Sequence, residues 1–296
     1  MAQSQIITLN GHAYHIRVAG DPQAPVILCL HGFPEYSGAF DDLVPHLEEH
    51  FFLVAPDQRG YGQSWRPTEV DHYAPAALVA DAAAILRHYS PDKPVAAVLG
   101  HDWGAAVAYG LAFRNPALFE RLIVANGVHP IPFQRALAAG GAQSKASQYI
   151  NWLRAEGSEV KLTENNHLRM MSLFSEHMDM SWMDAGKVAA YRAAWGTADQ
   201  VRGMVNWYRA SNLKVAAPGQ PLPPEALPQW PAHALRVPMP HLLLWGEEDT
   251  ALLPECHAGL EDFCDDLTRV SLTGVDHWLL HQKPAEVARH IRQFLR

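Results

Sequence analysis

Long apolar runs, basic tracts and paired cysteines are all missing from this 296-residue chain, and each absence excludes something. No run approaches the roughly 20 apolar residues that cross a bilayer, so we expect no membrane partner. No cluster of lysine and arginine tracks phosphates, and the formal net charge is −8, which argues against a nucleic-acid partner. The three cysteines, Cys29, Cys256 and Cys264, are an odd set without CxxC spacing. They read as reduced thiols, with Cys29 inside an apolar run and therefore core. The N-terminus MAQSQIITLN has neither a basic nor an apolar signal region, and with the reduced thiols it leads to the expectation of a cytoplasmic protein. His46-Leu47-Glu48-Glu49-His50 matches a short zinc-protease pattern, but no third ligand accompanies it, and we expect no metal.

What remains is a chain with 48% hydrophobic residues, long enough for a large core. Short β-rich runs at 26–30, 51–55, 95–100 and 121–126 alternate with Ala- and Leu-rich helical lengths at 76–89 and 104–113. Continuous apolar strands alternating with helices imply a mostly parallel sheet covered on both faces. Runs at 241–246 and 266–272 supply two more strands, and 284–295 a closing helix with Pro284 in its first turn. Between 130 and 235 there is no strand signal; Trp, Met and Tyr cluster there, and the Pro-rich stretch 218–231 reads as a return linker. The expected organisation is an α/β core of 1–129 and 236–296 carrying an inserted helical lid, 130–235.

Gly100-His101-Asp102-Trp103-Gly104 follows an apolar strand and precedes a helix. A small-x-nucleophile-x-small pentapeptide at such a turn is the nucleophile elbow, whose glycines let the backbone turn sharply and expose the central side chain. That side chain is usually serine. Here it is Asp102, which is ionised without help from a base. A carboxylate attacking an ester or amide would give an anhydride. Attacking saturated carbon, it gives a stable alkyl ester, so the substrate should carry a leaving group on sp³ carbon: an epoxide or an alkyl halide. Hydrolysis of that ester needs a base and an orienting acid. His277 follows the last strand and Asp249 the one before it, giving the order nucleophile, acid, histidine. An oxyanion hole is expected from the backbone N–H of Trp103 and from that of Phe33 in the loop after the 26–30 strand. His31 in that loop reads as structural. No cofactor is implied; side chains and water suffice.

These motifs, with HGFPE (31–35), DQRGYGQS (57–64), NWYR (206–209), WGEEDTALLPE (245–255) and DHW (276–278), resemble the epoxide hydrolase and dehalogenase branch of the α/β-hydrolases along nearly the whole chain. The resemblance implies an α/β-hydrolase fold with a helical cap, and epoxide hydrolases as the closest relatives. It implies that Tyr208, in NWYR, donates its phenol to an epoxide oxygen, with Trp207 beside it in the lid pocket. The family's second lid tyrosine aligns with Trp152, while Tyr149 lies one helical turn earlier. If Trp152 takes that place, Trp103 and Trp152 together hold a halide and the enzyme is a dehalogenase. A haloacid is disfavoured, because Trp103 and Ala106 stand where fluoroacetate dehalogenases carry arginine. The expected partner is a small apolar or amphipathic organic substrate, bound by a monomer or homodimer.

Overall fold

Every residue of Val26–Leu30 is buried, as a strand must be when helices cover both faces of its sheet. Alternation then divides the strand between two cores. Leu28 and Leu30 join one apolar cluster, and Ile27 and Cys29 the other. The computed structural model describes residues 2–296. Its strands are β1 (Gln3–Leu9), β2 (His12–Ala19), β3 (Val26–Leu30), β4 (Phe52–Pro56), β5 (Val95–His101), β6 (Phe119–Ala125), β7 (Val237–Gly246) and β8 (Cys264–Leu272). They form one sheet in the order β1-β2-β4-β3-β5-β6-β7-β8, parallel from β4 to β8. The six strands expected from the sequence are those of the parallel part. The antiparallel hairpin β1–β2 at one edge was not expected. Its signal was Asn10-Gly11, both at positive φ, a tight hairpin turn between half-polar strands.

Helices α1 (Val44–Leu47), α2 (Pro75–Tyr89) and α3 (Trp103–Arg114) connect the first parallel strands. Six more lie between β6 and β7: α4 (Pro130–Ala138), α5 (Ala142–Ala146), α6 (Gln148–Arg154), α7 (Ser158–Ser175), α8 (Ala185–Trp195) and α9 (Ala198–Ala210). Helices α10 (Leu279–Gln282) and α11 (Pro284–Phe294) end the chain. The helical insertion packs into the same apolar cluster as α2 and α3, with Leu153, Phe174, Trp195 and Tyr208 among its buried members. Stretch 218–231 holds one short 3-10 turn, Pro224–Ala226. No helix among the described residues is long and apolar enough to cross a membrane.

The elbow between β5 and α3 depends on close packing. Asp102 sits at φ 48°, ψ −119°, a conformation that L-residues rarely adopt. Helix α3 then crosses tightly over the end of β3: a Cβ on Gly104 would stand 1.9 Å from the Leu30 carbonyl oxygen. Backbone cannot yield as a side chain can. Gly104→Ala should therefore cost about 3 kcal/mol in urea unfolding, whereas Gly141→Ala, with nothing within 4 Å, should stay within about 0.5 kcal/mol of the wild type.

Candidate active site

Asp102 ends up at the carboxyl edge of the parallel strands, where α/β sheets bind ligands. Its Oδ1 accepts the Phe33 N–H at 2.7 Å, and the Trp103 N–H also hydrogen-bonds its carboxylate. Burial pushes the Asp102 pKa up, and these donors and His277 work against that rise. His31 holds the donor loop: its Nε2 accepts the Gln58 N–H at 3.2 Å, and the Gln58 side chain bonds its carbonyl at 2.5 Å.

His277 arrives on the loop after β8. Its Nδ1 lies 2.7 Å from Asp249 Oδ2, and its Nε2 lies 3.9 Å from Asp102 Oδ2. Burial disfavours the charged ring, but the Asp249 carboxylate and the nearby Asp102 outweigh it and raise the pKa to about 9. Asp249 is buried too, and its pKa is nonetheless lowered, chiefly by the charge and hydrogen bond of His277 and by the donors around it. Its Oδ1 accepts the Ala251 and Leu252 N–H groups at 2.8 and 2.9 Å. Glu247 and Glu248, its neighbours in the turn, are exposed.

Three further residues serve this arrangement and were not singled out from the sequence. Asn126, at the end of β6, donates to Asp249 Oδ2 at 2.6 Å and accepts the Gly246 N–H at 2.7 Å. A polar residue closing the apolar run RLIVAN was its only signal. His101 places Nε2 2.9 Å from the His277 carbonyl oxygen and Nδ1 2.9 Å from Glu35 Oε2. Glu35 is fully buried, and Tyr191 of α8 and His281 of α10 also bind its carboxylate, at 2.8 and 2.9 Å. Burial alone would raise the Glu35 pKa; the two histidines hold it well below the ordinary carboxylate range.

The helical insertion brings two phenols over Asp102. Tyr208 is buried with its ring edge-on to Phe33 at 5.2 Å and to Trp103 at 5.1 Å. Tyr149 packs against it at 6.2 Å between ring centroids, within side-chain hydrogen-bonding reach. Desolvation, then the nearby negative charge of Asp102, raises both phenol pKa values, so both stay protonated donors at neutral pH. Asp102, Tyr149 and Tyr208 form a common wall of two cavities of about 520 and 490 Å³.

Two expected pocket residues lie elsewhere. Trp152 lines neither cavity; its indole carries the Arg169 guanidinium 4.8 Å from the ring centre. On α6 it stands about one helical turn from Tyr149, and of the two only Tyr149 lines the cavities together with Asp102. Trp207 also faces away: its Nε1 donates to the Arg59 carbonyl at 2.9 Å, and its ring packs on Tyr61 beneath the site. Adjacent residues on a helix point about 100° apart, and here Tyr208 lines both cavities while Trp207 lines neither.

The sequence model of the alpha/beta hydrolase fold matches residues 25–284. The chain belongs to that family. The AB hydrolase superfamily protein YfhM of Bacillus subtilis is 30% identical over 99% of this α/β-hydrolase and 97% of its own length. Epoxide hydrolase 1 of Caenorhabditis elegans is 26% identical, covering 99% of this chain and 70% of that protein. Among solved structures, an epoxide hydrolase from metagenomes of hot environments superposes with a TM-score of 0.89 at 32% identity, over 100% of this chain and 99% of its own. The Bacillus megaterium epoxide hydrolase, in complex with an inhibitor, gives 0.87 at 28% identity over 98% and 99%.

The charges around His277 make its titration diagnostic. Nitrogen-15 NMR of the ring should give a pKa near 9, moving down in Asp102→Asn. A histidine raised on folding contributes stability that is complete below its unfolded value, about 6.5, and is lost as pH rises through about 9. Urea-unfolding free energy should fall across that window, and His277→Gln should flatten the fall.

Proposed function

We propose that this α/β-hydrolase is an epoxide hydrolase that works through an alkyl ester on Asp102. The observation that carries this reading is the meeting of two protonated phenols, Tyr149 and Tyr208, with a carboxylate nucleophile at one wall. A halide leaves as an anion and needs no acid. A strained oxirane oxygen leaves as an alkoxide and gains from a donor held against it. The epoxide hydrolases among the relatives, matched along nearly the whole chain, support the same substrate. Segment 130–235 then acts as the lid that supplies the phenols. The halide reading depended on a pair of indoles, and Trp152 does not reach the cavities.

In the first half-reaction Asp102 Oδ2 attacks an oxirane carbon from the face opposite the C–O bond. That bond's electrons go to oxygen, which takes a proton from one of the phenols. Forming the ester removes a negative charge beside His277, so the histidine pKa falls from its free-enzyme value, and the ring releases its proton to solvent and becomes a base. His277 then takes a proton from water, and the hydroxide attacks the ester carbonyl carbon. The Phe33 and Trp103 N–H groups, already bonded to the carboxylate, hold the oxyanion. Collapse expels the diol oxygen, which takes the proton from His277; the regenerated Asp102 carboxyl returns its proton to the phenolate, and His277, beside the restored charge, regains a proton from solvent. Asp249 orients the base throughout.

His277→Gln should stall the cycle after alkylation. Intact-protein mass spectrometry with styrene oxide should show one added substrate mass, absent in Asp102→Asn. Tyr149→Phe and Tyr208→Phe should each lower kcat about 10- to 100-fold and the double variant about 10³-fold or more. Trp152→Phe should change epoxide turnover less than about twofold. Halide release from haloalkanes that outpaced diol formation would contradict the assignment.

A further inference from the structure

The two cavities that meet at Asp102 are not alike. The larger runs under α5 and the end of α7 between largely apolar walls, Leu173, Met178 and Trp278 among them, and only its rim is polar, with the exposed Lys145, Glu176, His177 and Thr250. The other runs along α3 toward the Pro-rich return segment, between Trp103, Phe113, Phe133, Ile150, Leu213 and Trp230. Each is by itself the size of a small-molecule pocket, about 300–1,000 Å³. A terminal epoxide, with one substituent, would leave one of them filled with water.

Resting on the epoxide reading, we infer that the substrate is a 1,2-disubstituted epoxide lying across Asp102, with unlike substituents. An apolar, ring-bearing substituent enters the aromatic arm. A chain ending in an uncharged hydrogen-bonding group enters the other. The phenols fix the oxirane oxygen at the junction, so the two ring carbons direct their substituents apart. The rim of the polar arm carries one cation, Lys145, and one anion, Glu176, whose formal charges cancel, and so favours a hydroxyl, ether or amide over a carboxylate. Trp230 gives the return segment 218–231 a role beyond connection. Flanked by Pro228 and Pro231 in a stretch with restricted backbone freedom, it closes the aromatic arm and sets the length accepted there.

The test compares kcat/KM for trans-2-phenyl-3-(3-hydroxypropyl)oxirane with that for propylene oxide, which needs neither arm. Removing apolar surface from water contributes up to about fourfold per methylene, so the ratio should exceed tenfold in the wild type. Ala106→Phe, which narrows the aromatic arm, and Ala146→Phe, which narrows the polar one, should each lower that ratio at least tenfold. Reading a ratio cancels any general loss of active enzyme. In a series of para-alkyl phenyl epoxides, Trp230→Ala should move the fall in kcat/KM to longer chains. Good turnover of propylene and styrene oxides with poor turnover of the disubstituted epoxide would overturn this inference and leave the epoxide reading standing. A shift in only one of the two narrowed variants would overturn it as well, marking the other cavity as a solvent channel. Failure of the wild type to open any epoxide would remove both readings.

Discussion

The Phe33 N–H meets Asp102 Oδ1 over 2.7 Å, and the Trp103 N–H meets the same carboxylate. This contact decides what the rest of the site must do. A nucleophilic carboxylate has to be stripped of water to attack well, yet remain ionised, and burial works against the second requirement. Around Asp102, fixed backbone dipoles and a nearby histidine stand in place of solvent and oppose the rise that burial imposes. The elbow at φ 48° aims the carboxylate at those donors, and Gly104 lets α3 approach β3 closely enough to hold the elbow in place. The same donors face the carbonyl oxygen once the ester has formed, so one arrangement serves both half-reactions of the proposed cycle.

Charge then links the steps. Asp102 and Asp249 flank His277 and raise its pKa to about 9, with Asn126 and two backbone N–H groups steadying the Asp249 side. A histidine that basic is a poor base at neutral pH while both carboxylates are ionised. In the proposed cycle, esterification of Asp102 would cancel one charge and free the ring at the moment a base is required. Behind it, Glu35, His101, Tyr191 and His281 form a buried polar cluster that ties the His277 backbone to α8 of the helical insertion and to α10. The histidine is thus positioned from both sides, by its ring and by its carbonyl.

The parallel strands and the order Asp102, Asp249, His277 were legible because each depends on local pattern: an apolar run, then a polar residue at its end. The hairpin β1–β2 was harder to read, since an edge strand with polar residues has no apolar run to announce it. The insertion was legible as helical but not in its facing. Whether Tyr149 or Trp152 completed the phenol pair turned on which side of α6 meets Asp102, and that is fixed by packing of α6 on α9 and α7. Trp207 misled for the same reason, being next to Tyr208 in sequence and a third of a turn away in space. Asn126, His101 and Glu35 were missed because partners 66 to 176 residues distant give them their roles.

In the proposed cycle the Asp102 carboxyl carbon, and not the epoxide, receives the oxygen of water. A single turnover of excess enzyme with styrene oxide in water enriched in oxygen-18, followed by mass analysis of the peptide bearing Asp102, tests it most directly. One heavy oxygen should enter that peptide, and the diol should stay unlabelled. An unlabelled peptide with a heavy diol would mean that water attacks the epoxide itself, and would contradict that cycle.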